Sequence, residues 1–201
     1  MIRILIAEDQ VMVREAIASL LDLEDDFEVV AQVGRGDEVL AAARAAAPDV
    51  ALLDIEMPGA SGLEVLAELV ARFPSCRILI LTTFGRPGYL RRAMTGGAAG
   101  FLLKDAPAVE LSSAIRRAMA GERIVDPGLA AAALSDGDSP LTAREQQVLA
   151  ASREHGTIAQ VAATLHLSPG TTRNHLSAIM GKLGAGSRIE ALRIAEEKGW
   201  L

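Results

Sequence analysis

Residues 48–59 read PDVALLDIEMPG. Four apolar residues, Val50-Ala51-Leu52-Leu53, stop at Asp54, and a second acid, Glu56, follows two positions later. The run is rich in β-branched and aliphatic residues and does not alternate with polar ones. That is the pattern of a strand covered on both faces. A carboxylate at the exit of such a strand reads as chemistry placed at the rim of a parallel sheet, where ligands of open α/β sheets bind.

The same pattern recurs. Apolar runs at Ile2–Ala7, Val29–Val33, Val50–Leu53, Ile78–Leu81 and Phe101–Leu103 alternate with helical periods at Val11–Leu23, Asp37–Ala47, Gly62–Phe73, Pro87–Thr95 and Val109–Ala120. Strand–helix alternation five times over predicts a doubly wound five-stranded parallel sheet. Residues 122–140 are rich in Gly, Pro, Ser and Asp around an Ala patch, and read as a linker with a short helical stretch at Leu129–Leu134. Residues 141–201 show four short helical periods and no strand pattern. The domains expected are therefore 1–121, a linker over 122–140, and an all-α module over 141–201.

Three capping boxes are expected to open helices: Ser61 with Glu64, Thr142 with Glu145, and Ser187 with Glu190. Ser168 followed by Pro169 adds an N-cap with proline at the first helical position.

Bulk composition narrows the class. The 201 residues are 50% hydrophobic but only 3% aromatic, so the core is aliphatic. The single cysteine, Cys76, excludes an internal disulfide and suits a reducing compartment. The N-terminus becomes acidic by Glu8, too early for a secretory signal, and no stretch suits a membrane span. A cytoplasmic protein without membrane insertion is expected. The net charge of −6 is uneven: −5 over residues 1–125, −3 over 126–140 and +2 over 141–201. The basic C-terminal balance points to an anionic partner.

At the strand ends stand Glu8-Asp9, Asp54, Thr82-Thr83 and Lys104. If the first and third strands are neighbours, three carboxylates meet. Charges so placed repel unless a cation neutralises them, and oxygen ligands with room for water suit Mg²⁺. A hydroxyl and an ammonium beside them are phosphate-binding groups. Any one of these residues alone reads more readily as a solvated loop start. The set on successive rim positions does not.

Glu8-Asp9, Asp54 in DIEMPGASG, Thr82 in ILTTFG and Lys104 in GFLLKD resemble the receiver domain of two-component response regulators. The resemblance implies that Asp54 accepts a phosphoryl group from a sensor histidine kinase. It implies that Asp9, Asp54 and the Glu56 backbone carbonyl hold Mg²⁺ with Glu8 close by, and that Thr82 and Lys104 bind phosphoryl oxygens. Phe101 matches the family's switch aromatic; by pattern alone it reads as well as a core residue. Slow autodephosphorylation, with no turnover substrate, is the only enzymatic behaviour implied. Asp105 and Pro107 depart from the Lys-Pro pair of many receivers.

In the C-terminal segment, Ile158–Leu165 and Pro169–Leu183 flank His166-Leu167-Ser168 at helix-turn-helix spacing. Thr172, Leu176, Ile179, Met180 and Leu183 form one stripe; Thr171, Arg173, Asn174, Ser177 and Lys182 fall largely outside it. LTAREQQVL, LSPGTTRNHLSAIMGKL and SRIEAL resemble the LuxR/NarL/FixJ helix-turn-helix, and the ending is most similar to DesR-like regulators. This implies promoter double-stranded DNA as a partner, contacted through Thr171, Arg173, Asn174, Ser177 and Lys182. It also implies a homodimer on phosphorylation and RNA polymerase as a further partner. Ser177 stands where a basic residue is common, and Thr157-Ile158-Ala159-Gln160 replaces a more polar helix entry. A dimer face on helices one and five or on four and five stays open, as does inhibition of DNA binding by the receiver. A phosphatase with an Asp nucleophile leaves the helix-turn-helix without a role. A protein-binding adaptor needs the C-terminal helices to grip protein instead of DNA.

Overall fold

The computed structural model describes residues 1–83, 85–135 and 139–201. The apolar runs form strands β1 (Ile2–Ala7), β2 (Phe27–Val33), β3 (Val50–Leu53), β4 (Arg77–Thr82) and β5 (Gly100–Leu103). Between and after them lie α1 (Val11–Leu21), α2 (Gly36–Ala46), α3 (Gly62–Arg72), α4 (Pro87–Thr95) and α5 (Ala108–Met119). All strand pairs are parallel and the order is β2-β1-β3-β4-β5, with a sixth strand, β6 (Ile124–Val125), beyond β5.

The sixth strand corrects the expected count of five. β6 (Ile124–Val125) lies inside the segment read as linker and pairs with β5, Gly100 opposite Ile124 and Phe101 opposite Val125. Ile124 is buried in the same core as Leu79, Leu102 and Ile115, so burial of one side chain fastens the strand to the sheet edge. After it, α6 (Pro127–Ser135) replaces the shorter helix expected at Leu129–Leu134. Residues 136–138 of the expected linker, and Phe84 of ILTTFG, lie outside the described residues.

The strands that looked two-sided are two-sided: every residue of β3 is buried, as are Ile4, Leu5, Ile6, Ile78, Leu79 and Ile80. Because β1 sits between β2 and β3, the exits of β1 and β3 are adjacent, with Ala7 opposite Leu53. This adjacency positions the acids described below.

The chain divides into two compact units, one holding the sheet and the other the C-terminal helices. In the second, α7 (Ala143–Glu154), α8 (Ile158–Thr164), α9 (Pro169–Leu183) and α10 (Arg188–Glu197) enclose Val148, Leu149, Val161, Ile179, Ala191 and Ala195. Capping boxes open α3 and α7 as expected. At α10 only half a box forms: Ser187 accepts from the Glu190 amide, but the Glu190 carboxylate accepts from Gly186 N at 2.8 Å instead of from Ser187 N. A further complete box, Thr157 with Gln160, opens α8. No helix among the described residues is long and apolar enough to cross a membrane.

Candidate functional site

Asp54 leaves β3 while its amide still donates to Ala7 O at 2.9 Å, so the β1–β3 ladder fixes its backbone. One carboxylate oxygen accepts from Ile55 N at 2.7 Å; the other lies 2.9 Å from Lys104 Nζ. Gly62, first residue of α3, packs directly behind. A Cβ there would stand 2.0 Å from Asp54 O, so only glycine allows this approach.

Glu8 leaves β1 in the same way, its amide donating to Val33 O at 3.1 Å. Its side chain is buried, accepts from Gln10 N at 3.2 Å and lies 2.5 Å from Lys104 Nζ. Arg14, one turn into α1, donates to the Glu8 carbonyl oxygen. Lys104 therefore bridges two buried carboxylates from the β5 exit.

Burial pushes the Glu8 carboxyl above its ordinary range, against the lowering effect of Lys104 and with a further rise from the charge on Asp54. For Lys104, burial works against the charged form, but hydrogen bonds to Glu8 and Asp54 outweigh it and hold its pKa above the usual value. The ammonium thus stays charged and serves as the pocket's internal counter-ion.

Glu8, Asp9 and Asp54 each offer a carboxylate oxygen within 4.8 Å of the others. Two of the three are buried and Asp9 is exposed, leaving an open side. Hard oxygen donors in this number fit a hard divalent cation with water completing its shell. Glu56 is exposed in the turn after Asp54, and its carboxylate is not part of this group. Thr82, wholly buried, ends β4 next to the β5 exit, where Lys104 N donates to Thr82 O at 2.9 Å. Phe101 is 0% exposed on β5, three residues before Lys104. The pocket thus brings three carboxylates and an ammonium together at the rim of the sheet.

In the second unit, α8 and α9 form the helix-turn-helix, with His166 in the turn at φ +53°. Thr172, Leu176 and Ile179 face inward and are buried. Thr171, Arg173, Asn174 and Ser177 are exposed on the other face of α9. Lys182 is tied down: its ammonium lies 2.6 Å from Glu145 Oε2.

Arg188 was not singled out from sequence. Its guanidinium donates to His155 O at 3.3 Å and Gly156 O at 3.1 Å, fastening the α7–α8 turn to α10. With Arg173 and Ser177 it borders a cleft of about 370 Å³. Its only sequence signal was its place after the helix-capping Ser187.

Comparison with known proteins agrees with both units. Residues 4–116 match the response regulator receiver domain, and residues 139–195 match the bacterial regulatory proteins of the luxR family. The transcriptional regulatory protein YvfU of Bacillus subtilis is 47% identical over 201 residues, covering 100% of both chains. The transcriptional regulatory protein DesR of the same organism is 46% identical, over 100% of this chain and 99% of its own, as the likeness to DesR-like regulators led one to expect. Among solved structures, the response regulator ChrA of a heme-sensing two-component system aligns over 100% of this chain and 98% of its own, at 33% identity and a TM-score of 0.59. An RcsB–DNA complex shares the fold at a TM-score of 0.69 and 23% identity over 98% of both chains. The chain therefore belongs to the two-component response regulators, as a transcriptional regulator with a receiver domain followed by a luxR-family DNA-binding domain.

Proposed function

We propose that Asp54 is the phosphoacceptor of a regulator switched on by a sensor histidine kinase. The observation that carries this is the meeting of Asp54 with Glu8, Asp9 and Lys104 at one rim of the sheet. An Asp54 carboxylate oxygen attacks the phosphorus of a phosphohistidine; the P–O bond forms as the P–N bond breaks, and the imidazole leaves. Lys104 shifts its ammonium from the Glu8 and Asp54 carboxylates toward a phosphoryl oxygen, and Thr82 donates its hydroxyl to another. Glu8, Asp9, Asp54 and the Glu56 backbone carbonyl would hold Mg²⁺, which when bound supplies charge neutralisation for the phosphoryl oxygens. Phe101 follows Thr82 as the switch aromatic. The acyl phosphate is labile, so slow autodephosphorylation resets the chain, which has no turnover substrate.

Phosphorylation takes the acceptor from one negative charge to roughly 1.5 to 2, which favours a state the free protein already samples. We assign dimerisation to the α1–α5 face. Met12 is 83%, Leu23 80% and Val109 74% exposed, an unusual concentration of large apolar side chains on and beside two helices. Those helices are neighbours: Val13, Ile17 and Leu20 of α1 and Leu111 of α5 line a common cleft of about 110 Å³. Paired C-terminal modules then read promoter DNA through Thr171, Arg173, Asn174 and Ser177, with RNA polymerase as the downstream partner. Domains at 1–121 and 141–201, joined by 122–140, whose β6 is lent to the receiver sheet, and a cytoplasmic site of action complete this reading.

Analytical ultracentrifugation with Mg²⁺, with and without beryllofluoride as a phosphoryl mimic, tests it. A monomer-to-dimer shift is expected in the native chain and absent in Asp54→Ala. A native chain that stays monomeric overturns dimerisation as the switch. A shift that persists in Asp54→Ala overturns the choice of acceptor.

A further inference from the structure

The segment that leaves the receiver lies on the strand of Phe101 and reaches Gly85, in the loop that follows Thr82. β6 lies directly on the strand of Phe101, with Val125 as the Cα partner of Phe101 and Ile124 N donating to Ala99 O at 3.0 Å. One residue later Asp126 starts α6: its Oδ1 accepts from Leu129 N at 2.9 Å, and its carbonyl accepts from Ala130 N at 2.9 Å. Leu129 is thereby aimed at the loop after β4. A Cβ on Gly85, three residues beyond Thr82, would lie 2.7 Å from Leu129 Cδ2 and 3.4 Å from Leu103 Cδ2. The bare backbone of Gly85 leaves room for the Leu129 methyl, which would have to shift if a Cβ stood there.

A cleft of about 660 Å³ opens between β5, β6 and α5, bordered by Phe101, Leu103, Val109, Ala114, Val125 and Pro127. Among the described residues, the connector's ties to the sheet are short: two strand residues, the buried Ile124 and the Leu129 approach to Gly85. Such a segment belongs at the low end of local stability, where small changes in its seat move its population.

We propose that β6 and Leu129 form the coupling element of this protein, a clasp that is seated when Thr82 and Phe101 are in the arrangement described and that lets go when they move. Leu129 acts as a positioning residue, through the Gly85 loop and not on the phosphoryl group. The inference rests on Asp54 being the phosphoacceptor. It assigns the output of that site to the first residues of the connector, ahead of any contact made by the DNA-binding unit.

Hydrogen exchange of the full chain, read by mass spectrometry, tests it with Mg²⁺ and beryllofluoride as the probe. Amides of residues 122–130 are expected to exchange about tenfold faster when the probe is bound, and to be unaffected in Asp54→Ala. Leu129→Ala, which removes a half-buried side chain outside the sheet core, is expected to give the faster exchange without the probe. If the probe slows exchange around Asp54 and Thr82 but leaves 122–130 unchanged, the clasp is overturned while the acceptor site stands. If Leu129→Ala leaves 122–130 as slow as in the native chain, the clasp is likewise overturned. If no segment responds to the probe, the acceptor reading fails and takes the clasp with it.

Discussion

Lys182, in the last turn of α9, sets its ammonium 2.6 Å from Glu145 Oε2, in the first turn of α7. The same oxygen accepts from Thr142 N at 2.7 Å and Thr142 Oγ1 at 2.9 Å. One carboxylate oxygen thus completes a helix cap and pins a second helix, 37 residues away. Glu145 is buried, whereas the Lys182 side chain is 37% exposed. Lys182→Met is expected to cost about 1 kcal/mol, since solvent screens its half of the pair. Glu145→Ala removes the cap as well and is expected to cost about 2 kcal/mol. Urea melts followed by emission of the single tryptophan, Trp200, which packs on the C-terminal core, measure both.

The same pair gives the C-terminal unit an acid limit. Lys182 and the Thr142 amide hold the Glu145 pKa at about 2, below its ordinary 4.5. A depressed carboxyl pKa means stability that is fully present above the unfolded value and lost as protons bind the folded form. The contribution of Glu145 should therefore decline from pH 4.5 down to about 2. Glu145→Gln should be less stable at neutral pH and should lack this component in acid titrations of Trp200 emission. A variant with the native acid profile would contradict the assignment.

Gly62→Ala is expected to be among the most damaging single-methyl changes in the receiver. The added carbon would meet Asp54 O at 2.0 Å and Asp54 C at 2.9 Å, both backbone atoms with nowhere to go. A loss of about 3 kcal/mol is expected, at the upper end of overpacking effects. Thermal melts should show it, and the beryllofluoride response should weaken even where the fold survives.

On the proposed Mg²⁺ site, Lys104 and the cation would compete for Glu8 and Asp54. Lys104→Met should strengthen Mg²⁺ binding about tenfold, because an internal positive charge leaves the pocket. Asp9→Ala should weaken it by about as much, because a ligand goes and Lys104 remains. Calorimetric Mg²⁺ titrations distinguish the two; equal affinities in both variants would refute the competition.

Arg173 and Lys182 should differ on DNA although both are basic and on α9. Arg173 is exposed, whereas Lys182 already has Glu145. Arg173→Ala should lower affinity and reduce the salt dependence by about one counter-ion, while Lys182→Met should change the salt slope little. Fluorescence-anisotropy titrations of promoter fragments at several salt concentrations decide it.

The residues explain what was readable in the chain and what was not. β1 and β3 end where they were expected because apolar runs meeting acids leave no ambiguity. α1 stops two residues early, at Leu21, with Leu23 left 80% exposed, because local periodicity does not reveal where a helix leaves its core. β6 escaped notice because two residues carry no period, and its flanks read as turn. The rim was readable as a set of residue types; that Lys104 would span Glu8 and Asp54 depends on strand order, which is tertiary. The Lys182–Glu145 pair was invisible for the same reason. The Thr157–Gln160 box was in plain view but carried Gln in place of Glu.

The strand order also sets a timetable for synthesis. No two neighbours in the sheet are joined by a hairpin; each pair closes only after a helix has crossed over. Among the described residues, β6 is both the last strand and one edge of the sheet. A nascent chain on the ribosome must therefore emerge through Val125 before the sheet has its final border, and until then the β5 edge is open to pairing with a neighbouring chain. The helical unit, built from contacts among nearby residues, needs no such wait. The DNA-binding half is made last, and the unpaired β5 edge marks the stage at which the growing receiver is most open to mispairing.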